Sequence, residues 1–215
     1  MPRHGPRRSV RARRALALCG ILALPACGAK YAEVPPRLAL QPYGRVAIVT
    51  FTSERDDDGL GTLATQGFAE ALLQSQSDVE LLELSATDSA LHNLAPDADP
   101  AAMAQALGRE KHVPAVFLGE LTMTGVKPRG TIALSGGARV KASVSGLLSV
   151  RLLSTETGGT MWRSSATARG TVGTLAIDGH LPVVSARDPD EAYGQVVRNL
   201  VYEVTRDLRP TWVRQ

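Results

Sequence analysis

Four sets of residues carry types whose chemistry depends on their spacing. Gly59-Leu60-Gly61-Thr62-Leu63-Ala64 matches G-x-G-x-x-A between an apolar run and a helical pattern. Taken alone it reads as a dinucleotide-binding turn, with Glu80 or Glu83 about 20 residues on for a ribose contact. Two features argue against it. Seven residues separate Phe51 from Gly59, so the turn is not tight, and Asp56, Asp57 and Asp58 would repel a pyrophosphate. A helix N-terminus, where acids are favoured by the dipole, is the plainer reading. Glu54, Asp56 and Asp58, with Gly59 next, also stand where a calcium loop places its ligands. The position that needs a bidentate glutamate is Thr65, so an EF-hand is rejected and a solvated loop is expected. His92, His112 and His180 are each isolated, and no H-E-x-x-H, C-x-x-C or G-x-S-x-G is present. Glu120 alternates with Val116 and Leu118, and a lone carboxylate there reads as paired or edge-exposed rather than as a general base. No catalytic residue, metal site or cofactor is expected, and the chain reads as a non-enzyme.

The fourth set is Leu24-Pro25-Ala26-Cys27. Residues 1–14 carry six arginines and no acid, and residues 15–26 are an apolar run. A basic start before a short apolar run is a secretory signal peptide. The run is 12 residues, too short to span ~30 Å of hydrocarbon as a helix. Its end resembles a bacterial lipobox, the small residues before a cysteine that receives a diacylglyceryl group. Cys19 fails as a rival because Leu18 before it is too large. Acyl chains on Cys27 would hold the protein on a membrane without spanning it. Gly28 rather than an aspartate after Cys27 implies, for a Gram-negative lipoprotein, the outer membrane and its periplasmic face.

Loss of residues 1–26 changes the sign of the charge. The whole chain has 24 basic and 21 acidic residues; without the six leader arginines 18 basic residues remain, a formal balance of −3. Nucleic-acid binding then loses its electrostatic argument. One cysteine survives, so no intrachain disulfide can form.

The elements that follow read in order. Residues 28–42, with Pro35, Pro36 and Pro42, read as an extended tether after the lipidated Cys27, and one domain is expected over 44–210 with a tail at 211–215. RVAIVTF (45–51) is a buried strand. Leu60, Leu63, Ala64, Phe68, Ala71 and Leu72 recur at helical spacing, with Asp58 as cap. DVELLEL (78–84) is a second strand. Asp99-Pro100 opens a second helix, and AVFLGELTM (115–123) is a third strand. Residues 124–139 read as an excursion or ragged hairpin. A long hairpin follows from Val140 to Gly170, turning at Thr155–Gly159, with alternating residues on both arms. Residues 171–187 are poorly patterned, and Asp188-Pro189-Asp190-Glu191 opens a third helix that Pro210 stops. The order is β-α-β-α-β-β-β-α: an α/β, α+β-like, two-layer mixed sheet with helices mainly on one face. Trp162 and Trp212 are the interaction candidates, Trp162 as core or subunit contact, Trp212 as packing, membrane-surface or subunit contact.

The strand RVAIVTF, the helix GLGTLATQGFAEALLQ, the stretch ALGREKHVPAVFLGELT and the strand-turn-tryptophan RLLSTETGGTMW resemble the CsgG family of bacterial outer-membrane lipoproteins over residues 45–208. Its relatives include the curli-secretion lipoprotein, lipoprotein activators of penicillin-binding proteins, the Pel polysaccharide-export lipoprotein and the amino-terminal domain of TolB. The resemblance implies an assembly or secretion accessory that acts through protein partners or self-association. Activation of a peptidoglycan synthase and a periplasmic enzyme without a recognisable motif are the alternatives. Some members insert hairpins into a membrane barrel. The arm Val140–Leu153 alternates suitably for a transmembrane strand of ~10 residues, and a sheet packed on helices explains the same alternation.

Overall fold

Arg45–Val49 is apolar at consecutive positions because both of its faces are covered. Val46 and Ile48 enter one buried cluster, Ala47 and Val49 another, as side chains alternating across a strand must. The structure is a computed structural model that describes residues 31–54, 59–91, 98–132, 138–178, 181–186 and 188–214. The first elements are β1 (Tyr31–Val34), β2 (Arg45–Val49), β3 (Thr52–Ser53), α1 (Leu60–Ser75), β4 (Glu80–Leu84), α2 (Pro100–Lys111) and β5 (Ala115–Met123). Then come β6 (Lys127–Ile132), β7 (Ala138–Ser154), β8 (Thr160–Asp178), β9 (Leu181–Ala186), α3 (Pro189–Val204) and β10 (Thr211–Arg214). The chain divides into a unit of residues 33–211 and a small one of residues 1–32 with 212–215. At the latter, β1 and β10 pair as a two-stranded sheet.

The main sheet is mixed, open and eight-stranded, with the path β4-β2-β5-β7-β8-β9; β3 lies beside β5 and β6 beside β7. β2 runs parallel to β4 and to β5, with Val46 opposite Leu81 and Ala47 opposite Val116. The remaining long pairings are antiparallel. The expected mixed sheet with three helices is therefore present, and the hairpin that carries Trp162 lies in its interior.

Helices α1 and α3 lie on one face, where Phe68, Leu72, Val196 and Leu200 meet Ile48, Phe117, Leu148 and Leu152. Helix α2 lies on the other, with Ala104 and Leu107 against Ala47, Val49, Val116 and Leu153. Strand order explains the split. The chain steps from β2 outward to β4, then back past β2 to β5. Two right-handed crossovers taken in opposite directions put their helices on opposite faces.

The ragged hairpin expected at 124–139 supplies one strand, and the poorly patterned stretch 171–187 holds more. Residues 127–132 form β6 against β7, β8 continues to Asp178, and β9 follows. Near 170–173 the register shifts between Ala142 and Ser143, which leaves Val172 as an extra residue in β8. Such a bulge, flanked by Gly170 and Gly173, erases the alternation that a sequence reading needs. The turn after β7 depends on Gly158. Its φ is +72°, and a Cβ there would sit 2.7 Å from that of Ala101.

The tether expectation needs correction from residue 31 onward. Residues 31–34 are a strand, and 41–43 form a single 3-10 turn. Leu40 is fully buried. Gln76 pins this segment. Its Oε1 accepts from the Leu40 N–H at 2.7 Å, and its Nε2 donates to the carbonyls of Leu38 and Leu208 at 2.7 and 3.1 Å. Prolines limited the local conformations, but Leu38 and Leu40 supply apolar surface that a free tether would leave in water.

Helix starts follow two patterns. Asp188 caps α3 by accepting from the Asp190 N–H at 3.0 Å. At α1 the cap position is Gly59 and no side chain caps it; Asp58 lies outside the described residues. No described helix is long and apolar enough to cross a membrane.

Candidate functional site

Leu24, Pro25, Ala26 and Cys27 lie outside the described residues, as do Asp56, Asp57, Asp58, His92 and His180. Trp162 stands on β8 opposite Leu152 and is half-buried. Its ring meets Phe117 edge-on at 6.1 Å between centroids, at the end of an aromatic chain through Phe68 to Phe51. Its indole Nε1 is buried and has no hydrogen-bond partner among the described residues. Trp212 is different: on β10 it is 63% exposed, and Tyr31 on the paired β1 is 62% exposed. The ribbon thus presents two aromatic rings to solvent.

The glycine motif at the start of α1 is used in packing. A Cβ on Gly61 would run into the carbonyl oxygen of Phe51. Thr65, one turn on, is buried; its hydroxyl accepts from the Phe51 N–H and donates to the Gly61 carbonyl, each at 2.8 Å. Glycine at 61 lets the helix approach β2, and Thr65 satisfies the backbone where β2 ends. Thr65 is therefore committed to the strand end. His112 is exposed at the C-cap of α2 with φ +53°, and its N–H bonds to the Gly108 carbonyl at 3.1 Å. It stops a helix.

Glu120 is exposed on β5 directly opposite Ser149. With Thr50, Thr52, Met103 and Arg151 it lines a cavity of about 140 Å³ beside the start of α2. Ligand sites for drug-sized molecules run to roughly 300–1,000 Å³, so this one admits little more than a small fragment. The sequence placed Glu120 on a strand but could not bring Ser149 and Arg151 to it, because that needs the β5–β7 register. A second polar cluster escaped the sequence reading entirely. The Lys111 ammonium bridges Asp88 at 2.9 Å and Glu110 at 3.2 Å, and Ser89 donates to Glu110 at 2.7 Å. The Lys111 hydrogen bond, then the Ala90 N–H, holds the Asp88 carboxyl below its ordinary range, and Lys111 is raised by the same partners. Glu110 is lowered first by the Ser89 hydroxyl and then by Lys111. The cluster ties residues 88–90 to the last residues of α2. Among the described residues no three metal-ligating side chains stand together. An open groove of about 600 Å³ runs between α1 and α3, lined by Leu63, Gln66, Glu70, Val201 and Tyr202 among others.

No known family model matches the chain, and no curated protein matches it. Solved structures do match. The PelC dodecamer from Paraburkholderia phytofirmans is 15% identical, covering 86% of this chain and 99% of its own, with a TM-score of 0.42. Lipoprotein GNA1162 from Neisseria meningitidis is 16% identical over 60% of this chain and 83% of its own, TM-score 0.37. A minor lipoprotein from Acinetobacter baumannii is 12% identical over 80% and 98%, TM-score 0.31. Bacterial lipoproteins are thus among the solved structures this chain is similar to.

Proposed function

We propose that the chain is a lipid-anchored, non-enzymatic protein of the outer membrane, facing the periplasm. It serves assembly, secretion or export through contacts with protein partners or with its own copies. The observation that carries this reading is Leu24-Pro25-Ala26-Cys27 at the end of a basic and then apolar leader. The exposed aromatic ribbon of Tyr31 and Trp212 supports a working surface, since aromatic residues favour interfaces that are part apolar and part wet.

Activation of a peptidoglycan synthase is the alternative that the resemblance leaves open. The cavity at Glu120 is where an enzymatic reading is tested first, and a hydrolase activity lost in Glu120→Gln would overturn the non-enzymatic reading.

The test is lipid labelling with fractionation. The protein should take up labelled fatty acid and sediment with the outer membrane, and Cys27→Ala should take up none. An unlabelled wild type contradicts the reading. Mass measurement in detergent then separates its branches: a large symmetric assembly fits export or secretion, and a monomer fits the activator.

A further inference from the structure

The sheet face opposite α1 and α3 is covered by α2 near β2, β5 and the Leu153 end of β7. Beyond it, six cations with described side chains stand on that same face of three strands: Lys127 and Arg129 on β6, Lys141 and Arg151 on β7, Arg163 and Arg169 on β8. Five are exposed and Arg151 is half-buried. Among the side chains described on this face of β5–β8, Glu120 is the one acid. None of the six is ion-paired with another described residue. Segregation of this kind is unexpected in a chain whose formal balance without its leader is −3.

The placement costs stability. Arg151 lies directly opposite Arg163, and Arg129 directly opposite Lys141. Like charges at directly opposed sheet positions repel and destabilise the pairing. The two repelling pairs are separated by the ten residues from 141 to 151, about 34 Å along β7. A multivalent anion laid along the face would relieve both.

We propose that this face docks on an anionic lipid surface. The inference rests on the anchored reading above, because acyl chains on Cys27 would keep the sheet within reach of the bilayer. An acidic polysaccharide is the competing occupant. It is disfavoured because no aromatic side chain stands among the six cations to stack a sugar ring. Phosphate headgroups require only charge and hydroxyl donors, and Ser145, Ser165 and Thr167 lie between the cations on this face, with Ser149 at the rim of the Glu120 cavity.

The experiment uses the mature acylated protein with Ser165→Cys carrying an environment-sensitive fluorophore. Acylation occupies the thiol of Cys27, so the label goes to position 165 alone. On vesicles of phosphatidylcholine with roughly 30% phosphatidylglycerol the emission should shift to shorter wavelength and strengthen. It should not do so on pure phosphatidylcholine, and salt near ~0.5 M should reverse it. Arg151→Gln with Arg163→Gln should weaken the docking equilibrium about 30-fold while leaving the melting temperature unlowered, since it removes a repulsion. Equal responses on both vesicles, or none on either, overturn the proposal. So does a response to free polygalacturonate with vesicles silent, which would assign the face to a polysaccharide. Flotation with pure phosphatidylcholine vesicles reports the acyl anchor separately, so a failed anchor and a failed face are told apart.

Discussion

Trp162 packs its ring against Phe117 while its indole N–H finds no acceptor among the described residues. A buried donor left unpaired costs roughly 1–3 kcal/mol, so the ring contributes and the nitrogen detracts. Trp162→Phe should therefore change stability by no more than about 1 kcal/mol. Trp162→Ala should cost about 2–3 kcal/mol, near the lower end for aromatic truncation because the side chain is half-buried. Urea titrations of both variants check this, and equal losses would assign the indole nitrogen a partner. Other residues singled out for chemistry turn out to serve the backbone. Gly61 admits the Phe51 carbonyl, Thr65 bonds the end of β2, and His112 closes α2. Their types were legible in the sequence; their duties depend on contacts 14 or fewer residues away that a linear pattern does not show.

Among the elements, β2, α1, β5 and the β7–β8 hairpin could be read because their apolar residues recur at every position, every third or fourth, or every second. The continuation of β8 and the strand β9 could not, since the bulge at Val172 breaks the period. The face taken by α2 was also hidden: Ala104 and Leu107 mark its inward side, but not which side of the sheet is inward. The segment 38–43 was misjudged because its fixing contacts come from Gln76, more than thirty residues on. Gln76→Ala leaves the Leu40 N–H and two carbonyls without that partner, and should cost about 1–3 kcal/mol. Limited proteolysis should then cut within 33–43 before any other site, whereas an unchanged cleavage pattern would mean the segment is held otherwise.

The Asp88–Lys111–Glu110 cluster makes the start and end of the α2 region pH-sensitive. A depressed carboxylate contributes stability above its ordinary value, 3.8 for aspartate, and loses it as pH falls through its lower folded value. The raised Lys111 contributes below its ordinary 10.5 and loses it as pH rises through its higher folded value. Lys111→Ala should move the Asp88 titration, followed by carboxyl NMR, to higher pH. An unmoved titration would remove Lys111 as the cause.

At the scale of the whole molecule, the proposed processing at Cys27 would change the sign of the overall charge. Six arginines lie in residues 1–14, and six of the other eighteen cations stand on one face of the open sheet, where Glu120 is the one acid among the described side chains. The proposed anchor and the proposed docking face both concern a membrane, and both depend on what happens at Cys27. The intact mass of the mature N-terminal peptide tests this most directly. The account predicts a chain beginning at Cys27 and carrying a diacylglyceryl group. An unmodified Cys27, or an N-terminus at any other residue, would contradict it.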